Sequence, residues 1–282
     1  MIDLGFYIGE THSVCQDYVL SGIESIALSD GCSSSPLTDY GSRLLCSSSI
    51  PLIDSTFNLS DFDEKTCILT AQTASKILNL PIRCTDATLL IAKSDTRRSQ
   101  ALMFGDGVVI FKMKNGNTYI ISIEQTTEIN GIVYQTPFYL SYLCEQRLKQ
   151  GWIDETKKKI VIDVISSNGD ILRAYEVLDQ KSLIVPNQDD SFKVSIFEYC
   201  VYISCNREET EFISVFSDGV SSFHKDKNEP INFIEIIKEL ISFKNYNGRF
   251  VQRRMNKFKK SCLKNGWENK DDVSMGTIYT GE

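Results

Sequence analysis

The order of strand-like and helix-like segments most constrains how this chain can fold. Leu4 to Ile8, Tyr18 to Leu20 and Ser25 to Leu28 are short apolar or β-rich runs broken by Gly, Ser and His, which predicts strands. The pattern then changes to helical, beginning at Gly41-Ser42-Arg43-Leu44-Leu45 and again over Asp61 to Leu78. In the second segment Phe62, Ile68, Leu69, Ala71, Ala74, Ile77 and Leu78 fall mostly on one face, and Pro81 closes it. Strands resume at Ala87 to Ile91, Gln100 to Phe104, Val108 to Met113 and Thr118 to Ile123, with Asn115-Gly116-Asn117 as the hairpin turn between the last two. Further strands are expected at Ile160 to Ile165, Ile171 to Leu178, Val194 to Ile203 and Phe212 to Phe216, and a short helix at Tyr139 to Lys149. Helices at Phe233 to Phe243 and Phe250 to Leu263 precede a strand at Val273 to Tyr279. This order lacks the regular βαβ alternation of a doubly wound sheet. It predicts an α+β fold of two mostly antiparallel sheets with helices packed outside. No repeat, low-complexity linker or composition break divides residues 1–282, so one domain is expected, with 125–210 its least readable part.

Composition narrows the function classes. The net charge is −7, which disfavours non-specific nucleic-acid binding. No apolar run approaches the ~20 residues that span a bilayer. Nine scattered cysteines, without a C-x-x-C pair, point to reduced thiols, and the start lacks a basic-then-apolar leader; a cytoplasmic protein is expected. Only two histidines occur, His12 and His224, which rules out histidine-rich zinc sites.

One local pattern occurs three times. Ile26-Ala27-Leu28-Ser29-Asp30-Gly31, Leu102-Met103-Phe104-Gly105-Asp106-Gly107 and Val215-Phe216-Ser217-Asp218-Gly219 each run from an apolar strand into Asp-Gly. Asp17 stands just before Tyr18-Val19-Leu20, and Asp271-Asp272 just before the final strand. Any single Asp-Gly is more often a turn than a site. Strand-end carboxylates that converge repel one another unless a cation sits among them. Oxygen donors without His or Cys suit hard ions such as Mg²⁺ or Mn²⁺, and a pair of such ions can activate water and clamp a phosphoryl group.

The pieces resemble, in order, the metal-dependent type 2C protein phosphatase family. The resemblance is carried by Gly9-Glu10-Thr11-His12-Ser13-Val14-Cys15-Gln16-Asp17, Ala27-Leu28-Ser29-Asp30-Gly31, Gly41-Ser42-Arg43, Ala87-Thr88-Leu89, Gly105-Asp106-Gly107, Ser217-Asp218-Gly219 and Asp271-Asp272-Val273-Ser274. The resemblance implies a β-sandwich flanked by helices and a dinuclear Mn²⁺ or Mg²⁺ centre. Asp30 would bridge both ions, with the Gly31 carbonyl on one; Asp218 and Asp271 would bind the second. Asp17 would orient the water, and Asp106 would bind the third ion found in some members. The implied reaction is attack of a metal-bridging hydroxide on the phosphomonoester of a phosphoserine or phosphothreonine protein, with a flap within 125–210.

Three positions depart from the common family pattern. His12 stands where many members have Arg, Gln16 where many have Glu, and Cys32 where some have a candidate acid. A bacterial-type branch resembles this chain in its His and Gln-Asp. His12 is a candidate to bind phosphate or to donate a proton to the leaving group, with a backbone-bonded loop histidine as the plainer reading. The departures at 12 and 32 motivate one competitor, an inactive binding or regulatory module of the same fold; a two-metal nuclease is another, since the same ions can cleave phosphodiesters, though the acidic net charge counts against it. The basic stretch Arg249 to Lys264 reads as a solvated helix face with Phe250, Met255, Phe258 and Leu263 inward, and less readily as a docking surface for an acidic phosphoprotein. Cys200 and Cys205 read as core residues and His224 as a surface loop residue.

Overall fold

A computed structural model describes residues 1–129, 132–135, 137–144, 156–178, 182–184, 192–197, 199–225 and 229–281. Strands β1 (Ile2–Tyr7), β2 (Tyr18–Ser21) and β3 (Ser25–Ser29) precede helices α1 (Thr38–Ser55) and α2 (Glu64–Ile77). Next come β4 (Leu89–Ser94), β5 (Arg98–Phe104), β6 (Val108–Met113), β7 (Thr118–Ile129), β8 (Ile132–Gln135), β9 (Thr156–Ile165) and β10 (Ile171–Leu178). They are followed by β11 (Ser182–Ile184), β12 (Lys193–Ile196), β13 (Val201–Asn206), β14 (Thr210–Phe216), β15 (Phe223–Lys225) and β16 (Glu229–Pro230). Helices α3 (Phe233–Leu240) and α4 (Phe250–Asn265) lead to β17 (Glu268–Asn269) and β18 (Val273–Tyr279).

The strands form two large antiparallel sheets. One runs β1-β18-β14-β6-β7-β9-β10, with β8 on β7, and the other runs β11-β12-β13-β5-β4-β3-β2. A small sheet, β16-β15-β17, lies apart. Successive side chains of a strand point to opposite faces. Ile26, Leu28, Leu90, Met103, Val109, Phe111, Val215 and Ile278 therefore meet between the sheets. Ala27, Leu89, Ile91, Leu102 and Phe104 point the other way, onto Leu45, Ile53, Cys67, Ile68 and Ala71 of α1 and α2. On the far side Val108, Ile110, Phe212 and Met275 pack on α3 and α4 through Ile237, Phe250, Met255 and Phe258. The layers are thus helix, sheet, sheet, helix. Because both faces of each central strand are covered, β4 and β6 open with unbroken apolar runs, Leu89 to Ala92 and Val108 to Phe111, rather than alternating ones.

Several boundaries differ from those expected, for local reasons. α2 begins at Glu64 because the Asp63 carboxylate accepts the Thr66 N–H at 2.8 Å, an N-cap that leaves Phe62 outside the helix. Its buried stripe is Cys67, Ile68, Ala71, Gln72 and Ser75, while Leu69, Ile77 and Leu78 are exposed. The helix expected at Tyr139 to Lys149 is a 3-10 turn over Leu140–Cys144, and residues 145–149 lie outside the described set. Val194 to Ile203 is two strands, joined through the Phe197 N–H to Cys200 carbonyl bond of 2.9 Å. In α4 Cys262 takes the inward position expected for Leu263, which is 76% exposed. His224 lies in β15 rather than a loop, with Nδ1 2.7 Å from the Ser222 carbonyl. Cys205 is buried and Cys200 half-buried. No helix among the described residues is long and apolar enough to cross a membrane.

Candidate active site

The three Asp-Gly turns open at one end of the sandwich. Asp30 leaves β3, Asp106 sits in the β5–β6 turn, and Asp218 follows β14. The Gly31–Ala87 bridge and the Thr88 N–H to Asp30 carbonyl bond of 2.9 Å extend the β3–β4 pairing past the strand ends. Asp30 is further held by its own N–H to Thr88 Oγ1 at 3.2 Å. In the turn after β5, Gly105 and Gly107 have φ of +92° and +123°, which few L side chains tolerate. At Gly219 the constraint is space: an added Cβ would lie 1.7 Å from the Asp272 carbonyl oxygen. That close approach brings the β14 turn and the start of β18 together.

A cleft of about 120 Å³ opens there, lined among others by His12, Asp30, Gly31, Asp106, Asp218 and Asp271. Asp17 lies beneath it at 1% exposure. Ser217, Asp30 and Ser274 lie close to the Asp17 carboxyl, yet neither Asp17 oxygen, nor Asp218 Oδ1, is met by a well-formed hydrogen bond. Burial pushes the Asp17 carboxyl up to about 7, and Asp272 adds to the shift. Asp30 is held well above the usual carboxylate range by burial and by Asp17 and Asp218 beside it. Burial, then Asp218 and Asp271, push Asp106 up to about 7. Asp271 is raised by burial and by Asp218. These are carboxylates placed too close together, and too dry, for all to ionise unaided. Their oxygens, with the Gly31 carbonyl, form a donor set that fits hard divalent cations.

Asp272 plays a different part. Its Oδ1 accepts the Gly9 N–H at 2.8 Å and its Oδ2 accepts the Gln16 N–H at 2.6 Å, clamping both ends of the 9–17 loop. His12 lies against the same pair, with Nδ1 3.0 Å from Asp272 Oδ2 and Nε2 3.6 Å from Asp271 Oδ1. His12, Asp271 and Asp272 could geometrically enclose an ion. The Asp272 oxygens are already committed to backbone donors, however, so this trio reads as a clamp. Burial alone would lower the His12 pKa, but Asp272, Asp271 and Asp17 outweigh it and hold the imidazolium above its ordinary range. Gln16 Nε2 donates to Thr38 Oγ1 at 2.9 Å and Ser42 Oγ donates to the Gln16 carbonyl at 2.6 Å, which ties the loop to α1.

A sequence profile of the family described as protein phosphatase 2C matches residues 9–258. The chain belongs to the protein phosphatase 2C family. Solved structures share its fold at low identity. Serine/threonine phosphatase Stp1 from Staphylococcus aureus superposes with a TM-score of 0.51 at 10% identity, covering 100% of this chain and 95% of that one. A bacterial serine phosphatase and PppA of Pseudomonas aeruginosa, described as a key regulatory component of T6SS, each give 0.50 at 10% identity, covering 99% of this chain and 97% of theirs. No curated protein matches.

The structure of this phosphatase 2C chain brings together every residue singled out from the sequence: Asp17, Asp30, Gly31, Asp106, Asp218 and Asp271 around the cleft, with His12 at its rim. Sequence reasoning missed Asp86, Pro137 and Tyr139. Pro137 and Tyr139 line the cleft from the 125–210 stretch, where no periodicity marks them. Asp86 accepts Ser35 Oγ and Ser141 Oγ, both at 2.7 Å, and pairs with Arg83 Nε at 3.2 Å. It thereby fixes the Ser33–Ser35 loop against the 3-10 turn. Its position one residue before Ala87-Thr88-Leu89 was the only available signal.

Proposed function

We propose that residues 1–282 form one phosphatase domain that hydrolyses phosphoserine or phosphothreonine in proteins, using two Mn²⁺ or Mg²⁺ ions and, at Asp106, a third. The carrying observation is the group of half-buried carboxylates Asp30, Asp106, Asp218 and Asp271 in one cleft of a protein phosphatase 2C fold, with the buried Asp17 beside Asp30. The pairing of β1 with β18 across the whole length of the sequence supports a single domain.

When bound, the cations supply Lewis acidity and an activated water. Asp30, the Gly31 carbonyl, Asp218 and Asp271 would hold them, and neutralisation by the cations would let these neighbouring carboxylates ionise together. Asp17, buried against Asp30 with both oxygens short of a well-formed hydrogen bond, is suited to orient the attacking water. In the reaction the water oxygen bonds to phosphorus as the P–O bond to the side-chain oxygen breaks, and the leaving alkoxide takes a proton. His12, whose protonated form Asp272 and Asp271 favour, faces the cleft as a partner for a phosphoryl oxygen or as that proton's donor. Nine scattered cysteines without a C-x-x-C pair suit a reducing compartment such as the cytoplasm.

Hydrolysis of an aryl phosphate, titrated with Mn²⁺ against a chelator, tests this reading. Turnover should appear with Mn²⁺ and vanish with chelator. A folded protein that releases no phosphate at any Mn²⁺ concentration would instead be a binding module of this fold.

A further inference from the structure

α4 carries a charge pattern that folding does not account for. Between residues 241 and 267 the chain has eight Lys and Arg and no Asp or Glu, in a protein of net charge −7. Arg249, Arg253, Lys257, Lys260 and Lys264 follow one another at spacings of three or four, which places them on one face, and all five are exposed. Like charges at this spacing destabilise a helix, and cations near its N-terminus oppose the helix dipole. No ion pair compensates them among the described residues. Arg254, which points inward, pairs with Glu239 at 3.4 Å, and Arg253 Nη2 donates to Asn245 Oδ1 at 3.0 Å. The opposite face is already spent on the core through Phe250, Val251, Met255 and Phe258. No apolar face remains for insertion into a bilayer.

The stripe has a direction. The Val251 and Gln252 N–H groups donate to Asp3 Oδ2 at 2.5 and 3.2 Å, Met255 packs on Gly5, and Lys259 Nζ lies 5.4 Å from the Tyr7 ring centre. Beyond α4, the Glu10 N–H donates to the Asn269 carbonyl at 3.0 Å, two residues from both His12 and Asp271. α4 therefore runs alongside β1 towards the catalytic cleft for about 24 Å. At its far end a second cleft of about 280 Å³ is lined by Phe243, Lys244, Phe250, Arg253, Arg254 and Lys257, with no acidic side chain among its lining residues.

We propose that the α4 stripe and the cleft at its start dock an acidic segment of the phosphoprotein substrate, within roughly eight extended residues of the phosphorylated side chain. The proposal rests on the phosphatase reading. Charge complementarity selects the occupant: short carboxylate-rich segments can follow a single helix face, whereas a long polyanion would also meet the acidic remainder of the molecule. The docked segment would lower KM and leave the chemical step alone.

The test compares two phosphothreonine peptides, one neutral and one with four glutamates placed about six residues from the phosphothreonine, on wild type and on Arg253→Glu/Lys257→Glu/Lys260→Glu. Aryl phosphate turnover is the control. Wild type should favour the acidic peptide by on the order of tenfold in kcat/KM at low salt, mostly through KM, with the preference fading as salt rises. The variant should lose the preference and keep its aryl phosphate turnover. Equal use of both peptides by wild type, or a preference that survives the charge reversal, overturns the proposal. Fluorescence anisotropy of the unphosphorylated acidic peptide separates this failure from failure of the phosphatase reading. Binding that the variant loses supports docking even in a protein that turns over nothing. Tighter binding to phosphatidylserine vesicles or to a DNA duplex than to the peptide assigns the surface elsewhere.

Discussion

Asp17 and Asp106 show how a residue's surroundings can make sense only with a cation present. Both carboxyls are raised to about 7, from burial in the first place. An unfolded chain releases these protons near pH 4, so the metal-free native state binds more protons than the unfolded state between about 4 and 7. The sign follows: this contribution to stability is present below pH 4 and is lost as pH rises through 7. In chelator, wild type should therefore lose more stability between pH 5 and pH 8 than Asp17→Asn/Asp106→Asn does, as read by urea unfolding. With saturating Mn²⁺ the order should reverse, because the cation binds the ionised carboxylates. A variant with the same pH profile as wild type in chelator would contradict the assigned surroundings.

The site depends on elements meeting at their ends, and Asp272 is the residue that joins them. It lies at the start of β18, is 1% exposed, and holds the 9–17 loop through two backbone N–H groups. Asp272→Ala leaves those donors without a partner and should cost about 2 kcal/mol in urea unfolding with chelator. Lys257→Ala, on the open face of α4, should stay within about 0.5 kcal/mol of wild type. A cost for Asp272→Ala as small as that for Lys257→Ala would remove the clamp from the account. The same contrast explains what could be read in the sequence. β6, β10 and β18 match their expected bounds because apolar runs between turn residues fix a strand locally. The role of Asp272 depends on Gly9 and Gln16, more than 250 positions away, and no local pattern carries that pairing. Leu263 and Cys262 show the same limit: helical spacing allows either to face inward, and only packing against β-sheet residues decides.

At the scale of the whole molecule, the two sheets turn scattered strand ends into one centre. Asp30 leaves one sheet and Asp218 the other, and Asp30 is crowded by Asp17 and Asp218, carboxylates delivered from elsewhere in the chain. The layer order was legible because strands and helices come in blocks, and the family was legible because the Asp-Gly turns keep their order. The cleft wall formed by Pro137 and Tyr139 was not legible, since it arises from an irregular segment placed by long-range packing. Asp30 lies at the junction of the sheets, so it tests the whole arrangement most directly. The decisive measurement is phosphate release from a phosphothreonine peptide as a function of Mn²⁺, for wild type and for folded Asp30→Asn side by side. Wild type should show metal-dependent release, and Asp30→Asn should lose about 100-fold or more. Equal, metal-dependent release by both proteins would contradict the centre described above.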